Sequence, residues 1–178
     1  LDQPLIMQYL LYLKGVVTLD FGMTFSGREV IDVMARAFPV TIQLAVMALA
    51  IEAIFGILFG VWAGVRRGGL FDSTVLVATL TVIAVPTFVI GFVLQFFVGV
   101  KLGWLPTTVG PKPSFTSLLM PAIVLGAVSL AYVVRLTRQS VSENLNSDFV
   151  RTARAKGLPE GQVFRRHVLR NSLIPVVT

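Results

Sequence analysis

The sequence contains no cysteine and unusually little charge. Charged residues make up 13% of its 178 residues, hydrophobic residues make up 55%, and the mean hydropathy is +0.83. A soluble domain usually carries about 25% charged residues. The low charge therefore places the chain among integral membrane proteins. The absence of cysteine excludes a disulfide framework, a cysteine-ligated metal site and a thiol nucleophile.

Other missing residues and motifs narrow the chemistry further. His167 is the only histidine, and without cysteine or clustered carboxylates it cannot anchor a standard metal site. No G-x-x-x-x-G-K-[ST] phosphate loop occurs, so we expect no nucleotide or other cofactor in this chain. Membrane serines such as Ser73 and Ser129 have no histidine partner at a plausible depth, which argues against a serine hydrolase. We expect neither a catalytic residue nor a metal site.

Long apolar segments divide the chain. A membrane span needs about 20 apolar residues, and residues 1–39 are too interrupted to supply one. We interpret them as an extracytoplasmic segment with interfacial helices. Transmembrane helices are predicted at about 40–65, 73–100 and 118–134, and a further one starts at 171–178. The predicted fold is an all-α polytopic membrane helix bundle. Because the chain starts without Met and ends inside an apolar run, we expect a fragment with about three complete spans.

Small residues recur at four-residue spacing in two of these spans. Gly56, Gly60 and Gly64 repeat in the first span, and Ala122 and Gly126 repeat in the third. Small residues at this spacing let two helix backbones approach closely within a membrane. We interpret all five as helix-packing residues.

Three residues are candidates for a translocation path. Glu52 lies near the middle of the first span, about 40° around the helix from the glycine face, and an intramembrane carboxylate is a functional candidate. It either borders a substrate path or is a protonated or hydrogen-bonded packing residue. Pro86 is predicted to bend the second span, and the polar Gln95 follows it. They indicate either a kinked helix that lines a path or a structural kink with a buried amide.

The basic residues are unevenly distributed between the two predicted sides of the membrane. Of 15 Lys and Arg residues, ten fall on one side: Arg66, Arg67, Arg135, Arg138, Arg151, Arg154, Lys156, Arg165, Arg166 and Arg170. Positive charge concentrates in cytoplasmic loops. The 66–72 and 135–170 loops are therefore predicted to be cytoplasmic. Basic residues in such loops do not form one soluble face with aromatic platforms, so nucleic acid is not an expected partner.

The longest basic loop, predicted over residues 137–170, is ordered beyond what a linker needs. Asp148 suits the first turn of a helix, Gly157 suits its left-handed C-terminal position, and Pro159 suits the start of a second helix. The loop either anchors anionic lipid headgroups or forms a docking surface for a cytoplasmic partner. The apolar residues among the charges favour docking: Phe149, Val150, Leu158 and Phe164.

Two motifs in this loop resemble those of binding-protein-dependent ABC importer permeases. R-T-A-R-A-K-G-L stands at Arg151–Leu158, and R-H-V-L-R-N-S-L-I-P stands at Arg166–Pro175. The family's general pattern has Glu-Ala-Ala, three residues and then Gly. Here Arg151 and Thr152 stand in place of Glu and the first Ala, which is similar to the peptide/nickel branch. The segment L-G-W-L-P at 102–106 also resembles that branch.

The resemblance implies a type I importer permease fold in a bacterial inner membrane. It implies a second related permease, an extracytoplasmic substrate-binding protein that delivers peptide, and two cytoplasmic ATPases that bind ATP and Mg²⁺. The chain itself would be a transport subunit and no enzyme. It implies these ATPase-coupling residues: Asp148, Phe149, Arg151, Thr152, Ala153, Arg154, Ala155, Lys156, Gly157 and Leu158.

Two other classes remain open from the residues alone. One is a structural membrane subunit of a larger respiratory or secretion complex, whose basic loop binds a partner without transport. The other is an integral membrane enzyme, which the missing catalytic constellation disfavours. Only a transport subunit of the importer type is expected to hold an ATP-hydrolysing subunit in detergent.

Overall fold

The computed structural model describes residues 3–178, and Leu1 and Asp2 of the predicted N-terminal segment lie outside the described residues. The described chain is helical, and an isolated bridge between Met23 and Glu29 is its one β-type pairing. The all-α prediction is confirmed. The α-helices are α1 Leu5–Thr18, α2 Val30–Val65, α3 Leu70–Ala84, α4 Thr87–Leu94, α5 Phe115–Leu145, α6 Asp148–Ala155, α7 Glu160–Val163 and α8 Arg170–Val177. Segment Gln95–Lys101 continues α4 as a π-helix, and Phe164–Leu169 joins α7 to α8 in the same way.

The described chain forms two compact units, which divide between Gln43 and Leu44. In the first unit, α1 ends at Thr18 and is capped by Leu19, which adopts a left-handed conformation with φ 59°. The N–H of Asp20 then donates to the carbonyl of Gly15 at 2.8 Å. The 14 residues of α1 cover about 21 Å, which is less than the roughly 30 Å hydrocarbon core of a bilayer. That this helix lies at the interface stays a prediction.

Helix α2 begins earlier than the first predicted span. We expect the span to start at residue 40, whereas α2 starts at Val30 and continues through Pro39. Proline in a helix removes one N–H donor. Two residues later, the Thr41 hydroxyl donates to the carbonyl of Ala37 at 3.0 Å, a bond to the preceding turn that threonine side chains commonly make in helices.

Helices α2 and α5 touch along a face of small residues and run parallel. A Cβ atom added to Gly60 would lie 2.5 Å from the Cβ of Thr137, and one added to Gly64 would lie 2.8 Å from the Cβ of Val141. Because the contacting residue numbers rise together on both helices, the helices point in the same direction. Glycine is needed here because a side chain would collide with the facing helix.

The same contact continues towards the start of both helices. A Cβ atom added to Gly126 would lie 3.1 Å from the carbonyl oxygen of Ala48. All five residues predicted to pack helices are buried: Gly56, Gly60, Gly64, Ala122 and Gly126.

The second predicted span is not one kinked helix, and that prediction is wrong. Helix α3 ends at Ala84, the next helix starts at Thr87, and their axes differ by 108°. Val85 is extended, with φ −87° and ψ 130°, as a following proline requires. The carbonyl of Pro86 then accepts a hydrogen bond from the N–H of Val89 at 2.9 Å. Pro86 therefore separates two helices instead of bending one.

The two helices that Pro86 separates nevertheless run together from one end of α5 towards the other; we call them the broken pair. Asp72 at the start of α3 contacts Arg138, and Gly99 near the other end lies beside Met120. Met120 and Arg138 are 18 residues apart on α5, which corresponds to about 27 Å along the helix. This length is close to the thickness of the hydrocarbon core. Helices α2 and α5 are each long and apolar enough to cross a membrane. If the broken pair counts as one further span, the described residues contain up to three.

Helix α5 extends beyond its predicted end. The third span is predicted to end at Val134, but the helix continues through Arg135 and Arg138 to Leu145. Its 31 residues measure about 46 Å, so the helix outreaches the hydrocarbon core. The first part of the predicted 137–170 loop is therefore helix. The predicted further span at 171–178 lies in α8, which continues directly from the helix that starts at Glu160.

We predict that Gly60→Ala lowers the thermal midpoint of the protein in detergent, because the new methyl group overpacks the α2–α5 contact at a cost of about 1–3 kcal/mol. Gly91→Ala is the matched control, since its Cβ would lie 3.7 Å from the nearest atom, on Val124, an ordinary contact distance. Equal midpoints for the two variants would contradict the close α2–α5 contact.

Candidate coupling site

Helix α6 ends in a glycine turn that reverses the chain. Gly157 has φ +77°, a left-handed conformation that strains other residues. Its N–H donates to the carbonyl of Arg154 at 2.9 Å, and the N–H of Leu158 donates to the carbonyl of Ala153 at 3.3 Å. This pair of bonds is the Schellman motif that ends many helices. The next helix starts directly after Pro159, so the turn fixes the angle between two helices.

The inner face of α6 packs into a small apolar core, which we call the coupling cluster. Val150 and Ala153, three residues apart on one helix face, are buried in it. Burial of one valine side chain contributes about 1.5–3 kcal/mol. The cluster thus attaches α6 to the end of α5 and to the helix after the turn. Its buried members are Val141, Val150, Ala153, Val163 and Val168, with Val61, Leu145, Leu158 and Phe164 packed against them.

The outer face of α6 is open and basic. Ala153 is buried and Leu158 is half-buried, so these two predicted coupling residues hold the loop in place instead of presenting a contact surface. Phe149 exposes 41% of its surface and stands next to the buried Val150. The other predicted coupling residues are also exposed: Asp148, Arg151, Thr152, Arg154, Ala155, Lys156 and Gly157.

A side-chain pair spans the glycine turn. The guanidinium of Arg154 donates from Nε to Oε1 of Glu160 at 2.7 Å and from Nη2 to Oε2 at 3.1 Å. The hydrogen bond from Arg154 lowers the pKa of the Glu160 carboxyl. A lowered pKa means that the pair favours the folded loop above the ordinary pKa of glutamate, and that this contribution is lost as the pH falls. Both side chains are exposed, so the pair orients Arg154 more than it stabilises the fold.

A buried ion pair holds α3 to α5 beside this loop. Arg138 donates from Nη2 to Oδ2 of Asp72 at 2.7 Å and from Nε to Oδ1. The N–H of Gly68 donates to the same carboxylate at 2.9 Å. The Asp72 side chain is 3% exposed. Three hydrogen bonds therefore satisfy a carboxylate that would otherwise be costly to bury.

Two further hydrogen bonds complete this scaffold. Arg67 donates from Nη1 to the hydroxyl of Ser142 at 2.8 Å, which fixes the α2–α3 turn on α5. Asn144 donates from Nδ2 to the hydroxyl of Ser172 at 3.1 Å, which fixes α5 on α8. Polar contacts thus connect α2, α3, α5 and α8 at the end of the bundle where the coupling cluster lies. We call this end, which carries Arg67 and Arg138, the arginine-rich end.

The pairing of Asp72 with Arg138 and the packing of the inner face of α6 were not predicted from the sequence. A signal for the ion pair was present, because opposite charges border two predicted spans at the same predicted membrane boundary. A signal for Val150 was present in its three-residue spacing from Ala153. Neither signal specifies which helices are neighbours.

The three path candidates are placed apart in the fold. Gln95 lines a cavity of about 460 Å³ between α4, the 102–114 loop and α5, and its Nε2 donates to the carbonyl of Thr107 at 2.7 Å. Pro86 and Glu52 do not line that cavity. Glu52 is half-buried, and its carboxylate has no hydrogen-bond or ion-pair partner within residues 3–178. The same residues contain no group of three or more metal-ligating side chains.

Comparison with known proteins decides the family. The model of the family described as "binding-protein-dependent transport system inner membrane component" matches residues 56–178. The chain belongs to this family of inner membrane transport components. The matched residues include the coupling cluster, the glycine turn and the Asp72–Arg138 ion pair. The resemblance drawn from the loop motifs is therefore confirmed.

Curated relatives of this transport component match the whole chain. The dipeptide transport system permease protein DppB of Bacillus subtilis (strain 168) is 38% identical over 185 residues, which cover 100% of this chain and 58% of the relative. The oligopeptide transport system permease protein OppB of Salmonella typhimurium is 34% identical over 180 residues, with 100% and 59% covered. The chain thus spans about three fifths of the length of these relatives.

We predict that Asp72→Ala destabilises this transport component strongly. The substitution leaves the Arg138 guanidinium partly buried without its counter-charge, and such a change costs about 3–5 kcal/mol. The thermal midpoint in detergent measures the effect. Glu160→Ala removes an equally well-formed but exposed pair and is expected to leave the midpoint near that of the unchanged protein. A midpoint for Asp72→Ala equal to that of Glu160→Ala would contradict the role of the ion pair.

Proposed function

We propose that this chain is the membrane permease subunit of an ATP-driven peptide importer and couples to ATPases through residues 147–170. The observation that carries the proposal is the outer face of α6, an exposed basic and aromatic surface held rigidly by the coupling cluster. The names of the relatives supply the cargo class, because both the dipeptide and the oligopeptide permeases match the full chain.

The outer face of α6 has the chemistry of a docking surface. Arg151, Arg154 and Lys156 supply positive charge, and Phe149 supplies an aromatic anchor beside them. Aromatic and arginine side chains dominate the energy of many interfaces. We infer that α6 sits in an acidic-rimmed groove on a cytoplasmic ATPase. The transporter then consists of this chain, a second related permease and two ATPases, which bind ATP and Mg²⁺.

The internal contacts explain how ATPase movement reaches the membrane. The coupling cluster joins α6 to α5, the glycine face joins α5 to α2, and the Asp72–Arg138 pair joins α5 to α3. A displacement of α6 therefore carries the ends of three spanning elements with it. Rigid-body movement of this kind switches access between the two sides of a membrane.

In this proposal an extracytoplasmic binding protein delivers the peptide. Gln95 is a path residue in the proposal because its amide borders the largely apolar cavity beside α4. Glu52 is a path residue because its half-buried carboxylate has no partner in the described part of the chain. The relatives do not favour the alternative of a structural subunit without transport.

The docking face is tested by Phe149→Asp in the full-length permease, co-expressed with its partner permease and ATPases. We expect the ATPase recovered with the purified permease to fall at least tenfold, which corresponds to about 1.4 kcal/mol, because the aromatic anchor is lost. Phe25→Asp is the control, since Phe25 is fully exposed and lies in the segment predicted to face the other side of the membrane.

Two results would contradict this proposal. One is recovery of the unchanged permease pair with no ATPase bound. The other is equal ATPase recovery with Phe149→Asp and Phe25→Asp, which would place the docking surface elsewhere.

A further inference from the structure

A second concave site lies at the arginine-rich end, on the side of α5 that faces α3. It has a volume of about 280 Å³. The coupling mechanism uses Arg138 through its ion pair with Asp72 but leaves this space unassigned. We call it the arginine pocket, and its lining residues are Arg67, Leu76, Arg135, Arg138, Gln139 and Glu143.

The pocket offers hydrogen-bond donors that the protein does not use. Each arginine carries five N–H donors. Arg138 donates from Nε and Nη2 to Asp72, and Arg67 donates from Nη1 to Ser142. Arg135 makes no side-chain hydrogen bond or ion pair with the part of the chain that the structure describes. The guanidinium groups of Arg67 and Arg138 are thus fixed in place and still have unused N–H donors. The guanidinium group of Arg135 is unpaired within the described residues.

The negative charges near the pocket are already engaged. Asp72 neutralises Arg138, and the carboxylate of Glu143 accepts a hydrogen bond from Nε2 of Gln139 at 3.0 Å. Three arginines and two carboxylates leave one net positive charge. A single anionic group therefore matches the charge of the pocket.

The charges are ordered along the axis of α5, a helix long and apolar enough to cross a membrane. On α5, Arg135 lies eight residues before Glu143, about 12 Å further from the arginine-rich end. On α3, which runs away from that end, Leu76 lies one turn beyond Asp72. The membrane side of the pocket is therefore cationic and apolar, whereas Glu143 stands at the aqueous rim. Glu143 repels a soluble anion that enters from water, but a lipid that arrives sideways meets Arg135 and Leu76 first.

We propose that the arginine pocket binds the phosphate of an anionic phospholipid. The phosphate accepts hydrogen bonds from Arg135 and from the spare donors of the two fixed arginines, and the glycerol end of the acyl chains lies against Leu76. The volume is about nine times the roughly 30 Å³ that a water molecule occupies, so a phosphodiester fits. Basic pockets between helices on the cytoplasmic side suit such headgroups.

Lipid binding here has a structural consequence beyond peptide transport. The phosphate would contact Arg67 in the α2–α3 turn together with Arg135 and Arg138 on α5. It would therefore add a second bridge beside the Asp72–Arg138 ion pair, at the scaffold that holds the coupling cluster. The inference rests on the membrane placement of the chain and is independent of the cargo.

The test uses the full-length permease in its purified complex, with native mass spectrometry after incubation with dioleoyl phosphatidylglycerol or dioleoyl phosphatidylcholine. We expect phosphatidylglycerol adducts to persist at collision energies that remove phosphatidylcholine. In Arg135→Gln, half-saturation with phosphatidylglycerol is expected to need at least about tenfold more lipid. Arg165→Gln removes the same charge from an exposed site outside the pocket and is expected to match the unchanged protein.

Each other outcome overturns the proposal. Equal retention of the two lipids by the unchanged protein excludes recognition of an anionic headgroup, and this comparison needs no variant. Equal losses in Arg135→Gln and Arg165→Gln indicate diffuse attraction to basic loops. Displacement of phosphatidylglycerol by millimolar inorganic phosphate indicates a soluble-anion site. Binding of the lipid only after the ATPases are removed indicates that an acidic side chain of a partner occupies the pocket.

Discussion

The ion pair between Asp72 and Arg138 is the constraint on which the arginine-rich end depends. Asp72 pairs with Arg138 on α5, and the next turn of the same helix places Val141 in the coupling cluster. The same contact holds the start of α3 in position. One buried pair therefore attaches the broken span to α5 one turn away from the coupling cluster.

The parts of the fold that follow local rules were predictable. The left-handed Gly157 depends on the conformational freedom of one residue, and the glycine face of α2 depends on a four-residue spacing, so both can be inferred from the sequence. The 108° break at Pro86 and the extension of α5 were not predicted. A proline in an apolar run permits either a kink or a break, and the neighbouring helices decide between them. The contact of Asp72 with Arg138 joins residues 66 positions apart, which no local pattern specifies.

The predicted coupling site follows from a local sequence pattern, whereas the candidate substrate path depends on contacts between distant residues. The predicted coupling residues are contiguous in sequence, so the motif locates them, and the structure then sorts them into a packing face and an open face. The path candidates are scattered, and only Gln95 borders the cavity beside α4. A path between subunits is built from several helices and a second chain, whereas a docking helix is built from one short segment. The contacts from α6 through the coupling cluster to α5, and from α5 to α2 and α3, are the ones that the described residues supply in full.

The most direct test of whether these contacts transmit movement is a pair of distance measurements by pulsed electron paramagnetic resonance. Residues 1–178 contain no cysteine, so within them spin labels attach only at Leu70→Cys and Lys156→Cys, both at exposed positions, and any cysteine elsewhere in the transporter is replaced by serine. Between the nucleotide-free and ATP-trapped transporter, the distance within one permease should change by less than about 2 Å, the scale that separates local adjustment from rearrangement. The distance between the Lys156→Cys labels and equivalent labels on the second permease should change by more. A large change within one permease and a constant distance between the two would contradict the account.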